Sequence, residues 1–252
     1  MSSQFAVRLV VPPGQAEEKL ALLAGETTGI VEESDGTWLA YFADRHTAAQ
    51  WGEPFAVTEQ DWSANWQSDW QPLEIGQRWY LAPPWSEAAT PPGRLRLAMT
   101  PGPTFGSGDH PTTQMCLELL EHAIPPAQRI IDVGTGTGIL SVAARELGAK
   151  TVTACDTDPE AAKLARDAGI SVWQGSTASA RSRTADLVLA NLPGGLLIDF
   201  LPELRRLAPV LLVSGYLDTQ AEIVEQDAII HEKRASGEWR AALLSYPEDI
   251  PA

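Results

Sequence analysis

The stretch RIIDVGTGTGI, residues Arg129–Ile139, decides the fold of this chain. A predicted apolar strand runs into three glycines at alternate positions, Gly134, Gly136 and Gly138, and then into a predicted helix. Glycine permits a tight turn and lets the backbone approach a ligand, and the free N–H groups of the new helix favour an anionic group. The stretch therefore predicts a strand–turn–helix unit with a ligand site at its turn.

A second predicted strand ends in CDTDP at Cys155–Pro159, which places Asp156 22 residues after Gly134. A carboxylate there can accept hydrogen bonds from both hydroxyls of a ribose. The spacing is G-x-G-x-G rather than the G-x-G-x-x-G of dinucleotide sites, because Ile139 stands where the last glycine would be. These residues predict a nucleotide-like cofactor with a small carboxylate, such as the methionine end of S-adenosyl-L-methionine. The alternative is an ordinary strand–helix turn without a ligand.

The order of predicted elements indicates two folded parts of different architecture. Residues 1–60 follow the order β-α-β-β-α-β, with a hairpin turn at Ser34–Gly36, which is typical of a small ferredoxin-like α+β domain. From residue 95 to 252 strands and helices alternate, beginning with a strand at 95–99. This alternation predicts an α/β domain with a doubly wound, mostly parallel, Rossmann-like sheet that a C-terminal antiparallel hairpin closes.

Between these parts, residues 61–94 are rich in tryptophan and proline, and we expect them to form an interdomain linker. Trp62, Trp66 and Trp70 are spaced by four residues and would form one stripe on a helix. Such a stripe either packs the linker onto a neighbouring domain or offers an aromatic surface to a partner.

Composition restricts the class of protein. No apolar run approaches the 18 residues of a membrane span, and the stretch MSSQFAVRLVVPPG lacks the basic leader and apolar core of an export signal. Cys116 and Cys155 lie within apolar runs, which indicates buried thiols in a reducing cytoplasm. Four scattered histidines without a Cys-x-x-C pattern predict no metal site.

The formal net charge of −15 restricts the class of partner. Direct binding of duplex nucleic acid requires lysines and arginines that neutralise phosphates, so we expect none here. A basic protein partner would be attracted by this charge. The alternative is that the charge only keeps the protein in solution.

Several motifs together resemble one family. The loop and helix start FGSGDHPTT, Phe105–Thr113, is preceded by DWSANWQSDWQPLEIGQRWYLAPPW and followed by IIDVGTGTGILSVAARELGA, CDTDP and LVLANL. This set is similar to the PrmA family, bacterial class I methyltransferases that act on ribosomal large-subunit protein eleven. The resemblance implies an enzyme that transfers methyl groups from S-adenosyl-L-methionine to lysine side chains, to the N-terminal amine, or to both. It also implies that residues 1–60 recognise the ribosomal protein.

The glycine turn and the resemblance together imply cofactor contacts from Phe105, Gly106, Thr113, Gly134, Gly136, Asp156 and Asn191. Asp156 would hold the ribose hydroxyls, and Ser176 would lie near the adenine. Asn191 would lie near the sulfonium and the incoming nitrogen, which makes it the expected catalytic residue. Asp158 is expected to cap the helix that begins at Pro159.

Two departures from the family pattern keep other functions open. The segment after Asp156, AAKLARDAGISVWQGS, is short, and Asn191 is followed by Leu-Pro-Gly where the family more often has alanine in fourth place. The first alternative is the same enzyme class acting on a different protein lysine or a small amine. The second is a non-catalytic protein that retains the cofactor site.

Overall fold

The computed structural model describes residues 4–11, 19, 23, 26–27, 29–32, 37–57, 71–98, 108–123 and 129–246. The chain divides into two compact units, Met1–Trp70 and Gln71–Ala252. The predicted tryptophan stripe, the loop with Phe105 and Gly106, and the Ser34–Gly36 turn lie outside the described residues.

The N-terminal unit contains a four-stranded antiparallel sheet in the order β2-β3-β1-β4. Its elements are β1 (Gln4–Val10), β2 (Gly29–Glu32), β3 (Thr37–Phe42), α1 (Arg45–Ala49) and β4 (Phe55–Val57). Since β3 is antiparallel to both of its neighbours, β1 and β2 run parallel with β3 between them. This split β-α-β arrangement is the one expected of a ferredoxin-like domain. The first predicted helix lies largely outside the described residues.

Alternating residues of β1 and β3 build the core of this unit. Val7, Leu9, Trp38, Ala40 and Phe42 are buried, together with Leu23 and Ala48. Asp44 caps the N-terminus of α1, and its carboxylate accepts hydrogen bonds from the amides of His46 and Thr47 at 2.9 and 3.0 Å. The burial of alternate strand residues and an aspartate at the start of α1 are both typical of the sequences of strands and helix starts.

A separate three-stranded sheet opens the C-terminal unit. It consists of β5 (Leu73–Ile75), β6 (Trp79–Ala82) and β7 (Leu95–Ala98), with β6 in the middle. The prediction that the strand at 95–99 begins the large doubly wound sheet is therefore wrong, because β7 pairs in parallel with β6. Two short stretches of the segment expected as linker, Leu73–Ile75 and Trp79–Ala82, also lie in this sheet. The fully buried Trp79 donates its indole N–H to the Leu117 carbonyl at 2.9 Å.

The large sheet has seven strands in the order β10-β9-β8-β11-β12-β14-β13. Its strands are β8 (Arg129–Val133), β9 (Thr151–Asp156), β10 (Ser171–Gln174), β11 (Leu187–Asn191), β12 (Val210–Leu217), β13 (Ile229–Ser236) and β14 (Trp239–Ser245). All run parallel except β14, which pairs antiparallel with β12 and β13. The predicted mostly parallel Rossmann-like sheet and its closing hairpin are confirmed.

Helices connect the parallel strands and cover the sheet. They are α2 (Pro111–Ala123), α3 (Ile139–Glu146), α4 (Pro159–Asp167), α5 (Gly194–Leu207) and the short α6 (Ala221–Val224). The buried Leu197, Leu204 and Leu207 of α5 belong to the core cluster that also contains residues of β11 and β12. The chain leaves β8 toward β9 on one side, whereas β11 lies on the other side of β8. A crevice forms at such a switch point, outside the carboxyl ends of the strands.

Candidate functional site

A cavity of about 540 Å³ lies at this switch point, a volume typical of small-molecule sites. Its wall follows the strand order along one edge of the sheet. Gly175 and Ser176 come after β10, Asp156 ends β9, and Gly134 follows β8. On the other side it includes Asn191 at the end of β11, Gly215 in β12, and Trp239 at the start of the antiparallel β14.

The glycine turn forms the middle of the cavity wall. The amides of Gly134 and Thr135 both donate to the Cys155 carbonyl, at 2.9 and 3.2 Å, which ties the turn to the neighbouring strand β9. Gly134 has a φ of 71°, and a Cβ there would overlap the side chain of Leu192. At Gly138 the φ is 85° and a Cβ would lie 3.1 Å from Ala165. Glycine is therefore required for both the turn geometry and the approach of α4.

Asp156 is held by two backbone amides. One carboxylate oxygen accepts a hydrogen bond from Gly136 at 2.9 Å, and the other accepts one from Asp158 at 3.0 Å. A carboxylate oxygen has two lone pairs, so each oxygen keeps capacity for a further donor in the cavity. The Asp158 carboxylate instead accepts from the Glu160 amide at 2.9 Å and caps α4, as its sequence position predicts.

The side chains of Asn191 and Thr113 contact each other in the cavity wall. The Asn191 side-chain amide donates to the hydroxyl of the fully buried Thr113 at 3.2 Å, which links the end of β11 to the first turn of α2. The Asn191 carbonyl oxygen, Oδ1, is buried and has no hydrogen-bond partner among the residues that the structure describes. A buried acceptor without a donor carries a free-energy cost, which a ligand that supplies an N–H or O–H group would remove.

Gly215 is a site residue that the sequence reasoning missed. It lies in β12 where the pairing with β14 shifts between Ser214 and Tyr216, and its φ is 90°. A Cβ at this position would overlap the backbone carbonyl of Leu192 and would lie 3.3 Å from Asn191 Oδ1. Only glycine allows β12 to approach the Asn191–Leu192 peptide this closely.

Asp132, also missed, stabilises the glycine turn from beneath. It is 1% exposed, and its Oδ2 accepts hydrogen bonds from the Thr135 and Ser141 hydroxyls, both at 2.7 Å. Burial raises the pKa of this carboxyl group, while the two hydroxyl donors act in the opposite direction. The signal in the sequence was a carboxylate interrupting an apolar strand just before the glycines.

One wall of the cavity is apolar and aromatic. Leu192, Leu196, Phe200 and Trp239 line it. The ring of His110 packs edge-on against Trp239, with 5.3 Å between ring centroids, and its Nδ1 lies 2.7 Å from the Thr112 hydroxyl. The Thr112 amide also donates to Nδ1, at 3.3 Å, so the His110 ring is oriented by its own helix start rather than free to move.

The structure brings most of the predicted site residues into this one cavity. Thr113, Gly134, Gly136, Asp156 and Asn191 all line it, as does Ser176. Phe105 and Gly106 lie outside the described residues. Within the described ranges there is no cluster of three His, Cys, Asp or Glu side chains that could hold a metal ion. No helix of the described part of the chain combines the length and apolar composition of a membrane span.

Comparison with known proteins shows which family this chain resembles. The family model "Ribosomal protein L11 methyltransferase (PrmA)" matches residues 35–242. A ribosomal protein L11 methyltransferase of Desulforamulus reducens is 32% identical over 94% of this chain and 78% of its own length. The corresponding proteins of Symbiobacterium thermophilum and Desulfitobacterium hafniense are 39% and 36% identical over 68% and 73% of this chain.

Those two alignments span 59% and 64% of the relatives' own lengths, so this chain matches less than two thirds of each. Among solved structures, the ribosomal protein L11 methylase of Lactobacillus delbrueckii subsp. bulgaricus superposes with a TM-score of 0.64 at 27% identity. That superposition covers 70% of this chain and 99% of the other. The chain belongs to the ribosomal protein L11 methyltransferase (PrmA) family.

Proposed function

We propose that this protein is an S-adenosyl-L-methionine-dependent methyltransferase that methylates amines, lysine side chains above all, of ribosomal protein L11. The observation that carries the proposal is the buried, unpartnered Oδ1 of Asn191, in a cavity that also presents the anchored carboxylate of Asp156. Asn191 Oδ1 can accept a hydrogen bond from a substrate or cofactor, and the Asp156 carboxylate can accept hydrogen bonds from two hydroxyl groups.

The chemistry of the donor set fits the proposed cofactor. Along the sheet edge the wall passes from Ser176 to Asp156, Gly134 and Asn191, because β10, β9, β8 and β11 are neighbours. The cofactor has a purine, a ribose and a sulfonium that carries the methionine part, in that order. We assign the purine to the Ser176 side, the ribose diol to Asp156, the methionine part to the glycine turn, and the sulfonium to the neighbourhood of Asn191 and Thr113.

When bound, S-adenosyl-L-methionine supplies a methyl group on a positively charged sulfur, so the protein contributes position and electrostatics. A lysine amine has an ordinary pKa near 10.4, and presenting it neutral at pH 7 costs about 4–5 kcal/mol. The wall of Leu192, Leu196 and Phe200 removes water and lowers that cost, because burial disfavours the ammonium form. Asn191 Oδ1 then accepts a hydrogen bond from the amine and directs its lone pair. We assign no dedicated general base.

The substrate assignment is supported by the names of the relatives and by charge. Those relatives are named as methyltransferases of ribosomal protein L11. The net charge of −15 favours encounter with a basic protein substrate. We assign recognition of that protein to the domain predicted for residues 1–60, and the methyltransferase reaction to the C-terminal domain.

The direct test is transfer of a labelled methyl group. Purified protein is incubated with methyl-labelled S-adenosyl-L-methionine and the separated proteins of the large ribosomal subunit, beside the variant Asn191→Ala. We expect label in protein L11 with the wild type and at least a hundredfold lower rate with the variant, typical of losing a positioned group at the reacting centre. Absence of label from every protein would refute the proposal. Label in a different protein, with L11 unmodified, would instead support the alternative acceptor.

A further inference from the structure

The segment 175–182 closes the cavity on the far side of Asp156. Gly175, Ser176 and Thr177 line the cavity, and a single 3-10 turn follows at Thr177–Ser179. This segment begins where the short region that departs from the family pattern ends, at Gly175 and Ser176. With little regular structure of its own, its position depends on contacts from neighbouring elements.

The front of the segment is fastened to the sheet. The Gly175 amide donates to the Asp156 backbone carbonyl at 2.8 Å, and the Trp173 indole N–H donates to the Ser176 carbonyl at 3.1 Å. The first contact comes from β9 and the second from the edge strand β10. They fix where the segment starts but not the part beyond Thr177.

Arg206, near the end of α5, contacts the remaining part of the segment, residues 177–182. Its Nη1 donates to the Ala180 carbonyl at 2.8 Å and lies 3.4 Å from the Ser182 hydroxyl, and its Nη2 donates to the Thr177 carbonyl at 3.1 Å. Glu203, one turn earlier on the same helix, accepts from Nε at 2.8 Å and orients the guanidinium. A planar guanidinium can reach several acceptors at once, which a lysine cannot do in the same way.

We propose that Arg206 is a positioning residue for the cofactor. It does not line the cavity, so it acts through the segment 175–182, which it holds in the conformation that receives the purine end. A wall that is ordered before binding saves the entropy of ordering it on binding. This inference rests on the proposed function, because it assumes S-adenosyl-L-methionine or its demethylated product as the ligand.

The test compares Arg206→Ala with the wild type in two measurements. Calorimetric titration with S-adenosylhomocysteine should show about tenfold weaker binding. This is roughly the effect of losing one charge-assisted hydrogen bond that orders the segment before the ligand binds. Amide hydrogen exchange of the ligand-free variant should be faster across 175–182 and unchanged in Leu187–Asn191. The turnover rate at saturating cofactor should stay within about twofold of wild type, because the reacting centre at Asn191 is untouched.

Two further variants separate positioning from charge and from general stability. Arg205→Ala removes the same charge from the neighbouring residue, whose guanidinium lies 4.0 Å over the Tyr246 ring, and should leave cofactor affinity unchanged. Arg206→Lys keeps the charge but lacks the planar guanidinium, and this variant should bind S-adenosylhomocysteine with intermediate affinity. It also carries the test if Arg206→Ala does not fold.

The outcomes distinguish this inference from the proposed function. Unchanged affinity in both Arg206 variants, or an equal loss in Arg205→Ala, would overturn the positioning role while leaving the methyltransferase proposal intact. A loss of turnover at saturating cofactor with normal affinity would also overturn it. A wild-type protein that binds neither S-adenosylmethionine nor S-adenosylhomocysteine would overturn the proposed function, and the inference with it.

Discussion

Replacing Asp156 by alanine should weaken cofactor binding and also loosen the glycine turn. The carboxylate would no longer accept the two ribose hydroxyls, which we expect to cost about 2–3 kcal/mol, or roughly 30- to 150-fold in affinity. In addition, the amides of Gly136 and Asp158 would lose the acceptors that they contact at 2.9 and 3.0 Å. Water can partly replace these two bonds because the carboxylate is only half-buried, so we expect about 2 kcal/mol of lost stability.

Both quantities can be measured on the same preparation. Titration calorimetry with S-adenosylhomocysteine gives the affinity, and thermal unfolding should show a melting temperature lower by about 4–8 °C for a unit of this size. The matched control is Asp158→Ala, which removes the α4 cap to Glu160 and should cost about 1 kcal/mol of stability. Its affinity should stay within about threefold of wild type. If Asp158→Ala abolished binding while Asp156→Ala bound normally, the assignment of the ribose contact would be wrong.

Two further substitutions and one thiol reagent test the rest of the site. Gly215→Ala should lower the free energy of unfolding, measured by denaturant titration, by about 2–5 kcal/mol. Both the φ of 90° and the overlap with the Leu192 carbonyl oppose a Cβ at this position. Unchanged stability would contradict this reasoning. Thr113→Val, nearly isosteric, should reduce turnover about three- to tenfold and lower the melting temperature by about 2–6 °C, because the part-buried Asn191 amide loses its fixed acceptor. Full activity would contradict the role assigned to their contact. Burial raises the pKa of Cys155 to about 12, so mass spectrometry should find this thiol unmodified after iodoacetamide treatment at pH 8, and rapid alkylation of the folded protein would contradict its burial.

The sequence predicts the centre of this site well because local rules determine it. A glycine turn after an apolar strand and a carboxylate at the end of the next strand follow from backbone geometry and from parallel pairing. The structure accordingly brings Gly134, Gly136 and Asp156 together, and it places Asn191 beside Thr113. The cap at Asp158 is a local feature of the same kind.

What the sequence does not predict depends on pairing between distant segments. Leu95–Ala98 has the composition of a strand, but only its tertiary partner decides that it joins β6 rather than the large sheet. The edge strand Ser171–Gln174 is too short for a clear periodicity. Gly215 is an ordinary glycine until the bulge beside Leu192 is known, and Arg206 is an ordinary surface cation until segment 175–182 folds onto it.

The position of the antiparallel strand β14 in the sheet has a consequence for folding. β14 inserts between β12 and β13 and carries Trp239 to the cavity, where its ring contacts His110 from the opposite end of the C-terminal unit. A chain still emerging from the ribosome therefore contains the glycine turn and Asp156 well before Trp239 completes the apolar wall. Contacts of such high sequence separation form late and slow the folding reaction. Under the proposed function, we therefore expect the nascent chain to bind cofactor more weakly until β14 has paired with β12 and β13.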